Sequence, residues 1–429
     1  MPMTTTPVTI TPMTMAEKLL AKAVGRESVR PGEVIAPDPE LVILHDGYVE
    51  TSHRHLSQIG YRRITNPERV MIITDHNVIN TSPRAIEQSR ANRRIAAEWK
   101  VGHFFDVGRG GHGHIYPMEA GMVRPGMFLI AYDMHCTNFG AIGAFAMRAG
   151  PDIPVVLATG TLWTMVPQTL RIDLIGAFKA GVYARDLGFK LSSDLTSGRL
   201  GAEYDDRVIE FGGPAVDVMS LSERIALCNT LTEIGVNTVI FPPLSLTGKD
   251  GDLSWQLSDP DAQFENRLTL DLGDLGPQVA LPGAPDRAVD IGSAAGRSID
   301  QAYIGACGSG MYDDFERAAA IIRGKKIAPN VRFFIVPGTI TIAQKMMEAG
   351  LTKEFMDAGA IFLPAGCGPC AGGIGAPLGP GEVSISTAAT NGSGRMGARD
   401  AECYLASPVT VAASALAGKI VDPRQVGGH

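Results

Sequence analysis

Cys367-Gly-Pro-Cys370 places two thiols three positions apart, directly after the apolar run AIFLP at 360–364. A CxxC of this kind fits a thioredoxin-like redox pair, half a zinc site, two ligands of an iron–sulfur cluster, or two ordinary buried cysteines. Cys307 adds a third thiol, in Tyr303-Ile-Gly-Ala-Cys307-Gly-Ser-Gly310, at the end of another strand-like run and ahead of a helix that begins near Tyr312. Strand ends that face one crevice of a parallel sheet are where α/β proteins place ligands. Three thiolates there, with glycines around each for close backbone approach, can hold an iron–sulfur cubane. One iron is then left without a protein ligand, a Lewis acid able to take a substrate hydroxyl. Cys136, Cys228 and Cys403 stand alone, and Cys228 and Cys403 read as packing residues.

The elements that must position these thiols are legible as apolar runs of strand length alternating with helical patterns. Candidate strands are VMIIT (70–74), FLIAYD (128–133), PVVLA (154–158), NTVIF (237–241), RFFIV (332–336) and AIFLP (360–364). Between them lie amphipathic stretches such as Pro83–Trp99, opened by Ser82 as N-cap and Pro83 as first helical residue, and Ser220–Ile234. Such alternation predicts an α/β protein with buried parallel sheets. Two seams stand out. Residues 247–260 are polar and rich in Asp and Gly, and residues 276–298 are Pro/Gly-rich without long periodicity, a linker into a final domain.

A chain of 429 residues suggests about three domains. Its formal charge of -7 argues against a nucleic-acid coat, which needs a basic stripe. With 45% hydrophobic and 19% charged residues the chain is far from disorder. Glycine (50) and proline (28) exceed average usage, which suits tight turns and backbone-lined pockets. The uncharged stretch at 358–381 is long enough to cross a bilayer, but half of it is Gly or Pro, so no membrane span is expected. The N-terminus carries no basic region followed by an apolar core and reads as a short flexible lead rather than a secretory signal. Six cysteines without a regular framework point to a reducing compartment, hence a cytoplasmic protein.

From about Met15 to Arg424 the chain resembles the aconitase superfamily, and within it the large subunits of 3-isopropylmalate dehydratases. The resemblance is carried by Met15-Ala-Glu-Lys18, Arg30-Pro-Gly-Glu33, Asp75-His76-Asn77, a Gly-rich segment ending in His114, and Asp133-Met134-His135. It continues with Thr232-Glu233-Ile-Gly235, Cys307, the CxxC, Asn391-Gly-Ser-Gly-Arg395-Met-Gly397, and the segment from Tyr404 to Gly418. Each piece is weak alone; their shared order and the spacing of Cys307 from the CxxC carry the assignment.

The resemblance implies three α/β/α domains around a central cleft, without the swivelling fourth domain of single-chain aconitases. The expected division is a flexible lead at 1–14, then domains at 15–165, 166–283 and 284–429, the last bearing the cysteines. It further implies a [4Fe-4S] cluster on Cys307, Cys367 and Cys370, and a hydro-lyase that moves water on a small hydroxy-di- or tricarboxylic acid. The open iron takes the substrate hydroxyl and a carboxylate. Asp75-His76 match the pair that protonates the departing hydroxyl, the carboxylate holding the imidazole cationic. His114 and Glu233 match a second histidine–carboxylate pair, and Asp133 and His135 match residues around the iron-bound water. Arg395 matches a substrate-gripping arginine. The base and further arginines belong to a swivel-domain small subunit on a separate chain, so this chain is expected to be inactive alone.

Taken singly, each of these residues has an ordinary reading. Asp75-His76 fits a capped turn, His112 and His114 a solvated loop, Glu233 a solvated helix face, and Arg395 a loop charge. His45, His53, His55, His103 and His429 receive no role. The chain also departs from the family pattern. Ala306-Cys307-Gly308-Ser309 replaces the usual Ser-Cys-Thr-Asn. Met134 replaces a substrate-facing serine, Ile115 a glutamine, and Thr390, ahead of Asn391, an arginine. Asn391, Met134 and Thr390 are accordingly expected with Arg395 around the substrate. These changes leave fewer polar groups toward it, which disfavours ordinary aconitase chemistry and favours isopropylmalate, with another alkyl-substituted malate or maleate as the alternative. The competing reading is a non-catalytic iron–sulfur or iron-sensing protein on the same scaffold, against which the retained acid and base pairs speak.

Overall fold

The computed structural model describes residues 11–426. Most of the expected lead at 1–14, and His429, lie outside the described residues. Residues 13 and 14 are not a loose lead. Both are buried, Thr14 and Glu17 cap the helix Met15–Ala23 reciprocally, and Met13 N–H donates to Asp259 Oδ2 at 2.8 Å.

Three sheets form the framework, with two short two-stranded ribbons beside them among the described residues. The first sheet runs His103–Phe105, Val70–Ile73, Leu41–His45, Phe128–Ala131, Phe145–Arg148, all parallel. The second runs Thr238–Ile240, Val208–Gly212, Thr169–Ile175, Asn266–Asp271, again all parallel. The third has seven strands: Ala288–Asp290, Gln278–Ala280, Glu402–Ala406, Val383–Ser386, Gln301–Ile304, Arg332–Ile335, Ile361–Phe362. It is antiparallel only where Gln278–Ala280 meets its two neighbours. Leu41–His45 and Val70–Ile73 are buried at every position, as strands covered on both faces must be. Separate apolar cores fill the spaces around each sheet.

Five of the six strand-like runs are strands. The sixth, PVVLA, lies in the helix Ile153–Thr159: Pro154 sits in its first turn, Gly160 ends it in the left-handed region, and Ile153, Val156 and Leu157 are buried while Val155 is exposed. A five-residue apolar run cannot distinguish period two from period 3.6, and the flanking Pro and Gly decided it. The helices Pro83–Trp99 and Leu221–Thr232 form as expected, with Ser82 and Ser220 accepting N-cap bonds.

Neither sequence seam is a linker. Residues 276–298 contain two strands of the third sheet, Gln278–Ala280 and Ala288–Asp290, and the expected boundary between 283 and 284 falls in the hairpin loop joining them. Three-residue strands carry no periodic signal, and the Pro and Gly belong to the turn. Residues 247–260 clamp the N-terminal helix: Met15 N–H donates to Ser258 Oγ at 2.7 Å, and Lys18 Nζ lies 2.6 Å from Asp259. No described helix is long and apolar enough to cross a membrane.

Strand order reverses once in the first sheet, between Leu41–His45 and Phe128–Ala131, and once in the third, between Gln301–Ile304 and Val383–Ser386. Such reversals open crevices beyond the carboxyl ends of parallel strands. Here the two crevices meet. Gly111 bridges to Thr339, and Cys367 N–H donates to the Asp75 carbonyl at 2.9 Å.

Candidate active site

The carboxyl ends of the first sheet deliver an array of imidazoles and carboxylates. His45 ends one strand, Asp75 and His76 follow the next, His112 and His114 lie in the loop beyond His103–Phe105, and Asp133 and His135 follow Phe128–Ala131. Asp46, the first residue of the helix Asp46–Gln58, folds the Asp75–Asn77 turn by accepting three backbone N–H bonds, from Asp75 (3.2 Å), His76 (3.0 Å) and Asn77 (2.9 Å). Asp75 is fully buried and accepts from His45 Nδ1 (2.8 Å), His76 Nδ1 (2.6 Å) and Gly113 N (2.8 Å). Asp133 Oδ1 lies 3.2 Å from His114 Nε2 and 2.8 Å from His135 Nδ1. The other nitrogen of His135 lies 2.8 Å from Glu233 Oε1, just past the C-terminus of the helix Leu221–Thr232.

The third sheet supplies the thiols. Ala306 adopts φ 62°, a left-handed conformation that costs an alanine of order 1 kcal/mol or more, and with it the chain turns out of its strand into Cys307. The Cys307 sulfur accepts from Asn229 Nδ2 at 3.0 Å, and its carbonyl from Asn138 Nδ2 at 3.0 Å. A β-carbon at position 308 would overlap Asn229 and the Arg185 guanidinium, so glycine there is a packing requirement. Cys367 is tied down through its carbonyl, which accepts from Tyr303 OH at 2.9 Å. One cavity is lined by all three thiols together with His76, His112, His114, His135, Asp133 and Arg395.

The electrostatics divide the imidazoles. Burial opposes a charge on His76, but Asp75 and Asp46 outweigh it, so its pKa is raised well above the ordinary value. His135 is raised likewise: burial works against the charge, and Cys307, Asp133 and Glu233 work for it. Burial, reinforced by His45, lowers His114 to about 4 despite Asp133. Both carboxylates sit well below the usual range, burial being outweighed by the adjoining imidazoles. Burial pushes the metal-free Cys307 thiol up to about 11, so a metal must displace its proton on binding.

The structure therefore brings together Asp75, His76, His114, Asp133, His135, Glu233, Cys307, Cys367, Cys370 and Arg395. Four residues differ from expectation. Glu233 pairs with His135 rather than with His114, whose carboxylate is Asp133. Asn391 is turned away: its buried amide donates to the Leu281 and Cys403 carbonyls, both at 2.8 Å, and locks a loop instead of meeting a substrate. Met134 and Thr390 are half-buried and do not line the thiol cavity. Ile115 packs into the third core, against Gly338.

Sequence reasoning missed His45, Asp46, His112, Arg185 and Asn229. His45 and Asp46 end an apolar strand as Asp75 and His76 do, so their position was a usable signal. Asn229 lies four residues before Glu233, one helical turn along the same face. Nothing in the sequence marks Arg185.

Residues 17–297 and 292–418 match the model of the aconitase family (aconitate hydratase). The chain is 38% identical over 419 residues to the 3-isopropylmalate dehydratase large subunit 1 of Methanopyrus kandleri, covering 96% of this chain and 98% of that one. It is 37% identical over 428 residues to a probable methanogen homoaconitase large subunit of Methanothermobacter thermautotrophicus, covering 97% and 98%. Among solved structures it is similar in fold to Thermococcus kodakaraensis aconitase X in its holo-form, with a TM-score of 0.52 at 12% identity over 82% of this chain and 84% of that one.

Proposed function

The chain belongs to the aconitase family, and on that premise we propose that it is the large, cluster-binding subunit of a hydro-lyase acting on a small substituted malate of the 3-isopropylmalate type. The observation that carries the reading is the convergence, in one cavity, of three buried thiols with imidazoles held by carboxylates.

The residues present fit a [4Fe-4S] cluster on Cys307, Cys367 and Cys370. Three soft sulfur donors share one cavity. Behind them Arg185 is fully buried; its Nη2 donates to the Ala388 carbonyl at 2.5 Å, while Nε and Nη1 are unpartnered. Burial alone would lower its pKa, and Cys307 is the first group that counters this. A buried guanidinium without a carboxylate suits a site that becomes anionic when filled. When bound, the cluster supplies a Lewis-acidic iron for the substrate hydroxyl.

The protein's own groups handle the proton and the carboxylate. His76, cationic on Asp75 through Nδ1, has Nε2 left to protonate the departing hydroxyl. His135, clamped between Asp133 and Glu233, orients the water. Arg395 grips a substrate carboxylate, as a planar guanidinium does well. It is the one guanidinium among the cavity's lining residues, which favours an alkyl-substituted malate or maleate over a tricarboxylate with an additional charge to satisfy. Asp133 is occupied by two imidazoles, so the base that takes the carbon-bound proton is assigned to a swivel-type small subunit. A non-catalytic iron sensor would have no use for the Asp75–His76 and Glu233–His135 pairs.

The test is a panel of hydroxy acids assayed anaerobically with the two-subunit enzyme. Alkylmalates are expected to exceed citrate and isocitrate at least about tenfold in kcat/KM, a difference of ~1.4 kcal/mol. Equal turnover of citrate would contradict the substrate assignment.

A further inference from the structure

We propose that His112 is a positioning residue for the cofactor: its Nε2–H donates a hydrogen bond to the Cys367 sulfur and so sets the reduction potential of the cluster. The proposal rests on the cluster reading above. His112 Nε2 lies 3.1 Å from Cys367 Sγ, and both side chains are buried.

The tautomer follows from the other side of the ring. The backbone N–H of His114 points at His112 Nδ1, 3.3 Å away, and a ring nitrogen that accepts a hydrogen bond carries no proton of its own. Asp75 Oδ2, 3.4 Å from the same nitrogen, is already engaged by His45 Nδ1 and Gly113 N at 2.8 Å each. The proton of the neutral ring therefore sits on Nε2 and faces the sulfur. The backbone holds the ring there: His112 N–H donates across the cleft to the Gly338 carbonyl at 2.7 Å.

With His112 counted, two of the three ligating sulfurs have a nitrogen donor, each from a different part of the chain. Asn229 serves Cys307 and His112 serves Cys367. An N–H···S bond withdraws electron density from the thiolate and favours the more reduced cluster. The proton-transfer steps above make no use of His112. Its buried place beside a ligand is accounted for by this role.

The experiment compares reconstituted wild type, His112→Phe and His112→Gln under anaerobic conditions. Iron and sulfide content is measured first, then the midpoint potential of the [4Fe-4S]2+/1+ couple by EPR-monitored titration. All three proteins are expected to hold the cluster. The His112→Phe midpoint should move negative, and a tenfold weaker preference for the reduced state reads as ~59 mV. His112→Gln keeps an N–H donor and should recover part of that shift. Equal midpoints in wild type and His112→Phe overturn the proposal while leaving the cluster reading intact. A wild type that takes up no iron overturns both. Should His112→Phe hold no cluster, an anaerobic crystal structure of the wild-type holoprotein decides. Nε2 within hydrogen-bonding distance of Cys367 Sγ supports the proposal, and a ring turned away overturns it.

Discussion

Glu233 Oε1 lies 2.8 Å from His135 Nε2, although 98 residues separate the two in sequence. The opposite nitrogen of the same ring is held 2.8 Å from Asp133 Oδ1, so the imidazole is fixed at both ends and stays cationic. Glu233→Gln preserves an acceptor but removes the charge. We expect kcat to fall about 100-fold, within the range of general acid–base contributions, with KM little changed and iron content intact. Unchanged kcat in steady-state assays would remove the pair from the mechanism.

The six cysteines divide sharply. Replacing Cys307, Cys367 or Cys370 by Ser should abolish the broad visible absorbance of the reconstituted protein. Cys228→Ser and Cys403→Ser should keep it: Cys228 is buried in the core of the second sheet, and Cys403, although in the same apolar cluster as Cys307 and Cys370, does not line the cavity. Retention of full iron content in any of the first three variants would contradict the ligand set.

The Asp75–His76 pair sets a pH dependence of stability. A histidine whose folded pKa is raised stabilises the fold fully below its unfolded pKa, roughly 6.5, and stops doing so as pH rises through the folded value. The Tm difference between wild type and His76→Gln, measured on cluster-free protein, should therefore be largest near pH 6 and narrow toward pH 10. A difference that grows with pH would show that His76 is neutral in the fold.

Much of this site was legible before the structure. The thiols could be found because each follows an apolar strand, whereas Asp75-His76 and Asp133–His135 were implied only by the family resemblance, although they too follow apolar strands. The partners were harder. Which carboxylate meets which imidazole depends on how the helix ending before Glu233 crosses the cleft, and no local pattern records that. Asn391 misled for the opposite reason. Its motif lies beside Arg395 in sequence, but an amide five residues past a strand can as easily satisfy buried carbonyls as face a ligand. The strands Gln278–Ala280 and Ala288–Asp290 were too short to show a period, so their turn residues passed for a linker.

That last residue gives a separating test. Asn391→Ala leaves the Leu281 and Cys403 carbonyls without their donor and should cost about 1–3 kcal/mol, read as a lower Tm, while KM of the folded enzyme stays within about twofold. A large rise in KM with unchanged Tm would return Asn391 to the substrate.

We propose a cluster-dependent hydro-lyase completed by a second subunit. The most direct measurement is anaerobic hydration of an alkylmaleate, followed by loss of its double-bond absorbance, with the reconstituted chain alone, with a swivel-type small subunit added, and with Cys367→Ser in place of the wild type. Turnover is predicted only for the wild-type chain with iron, sulfide and the small subunit together. Turnover by the lone chain, or undiminished turnover by Cys367→Ser, would contradict it.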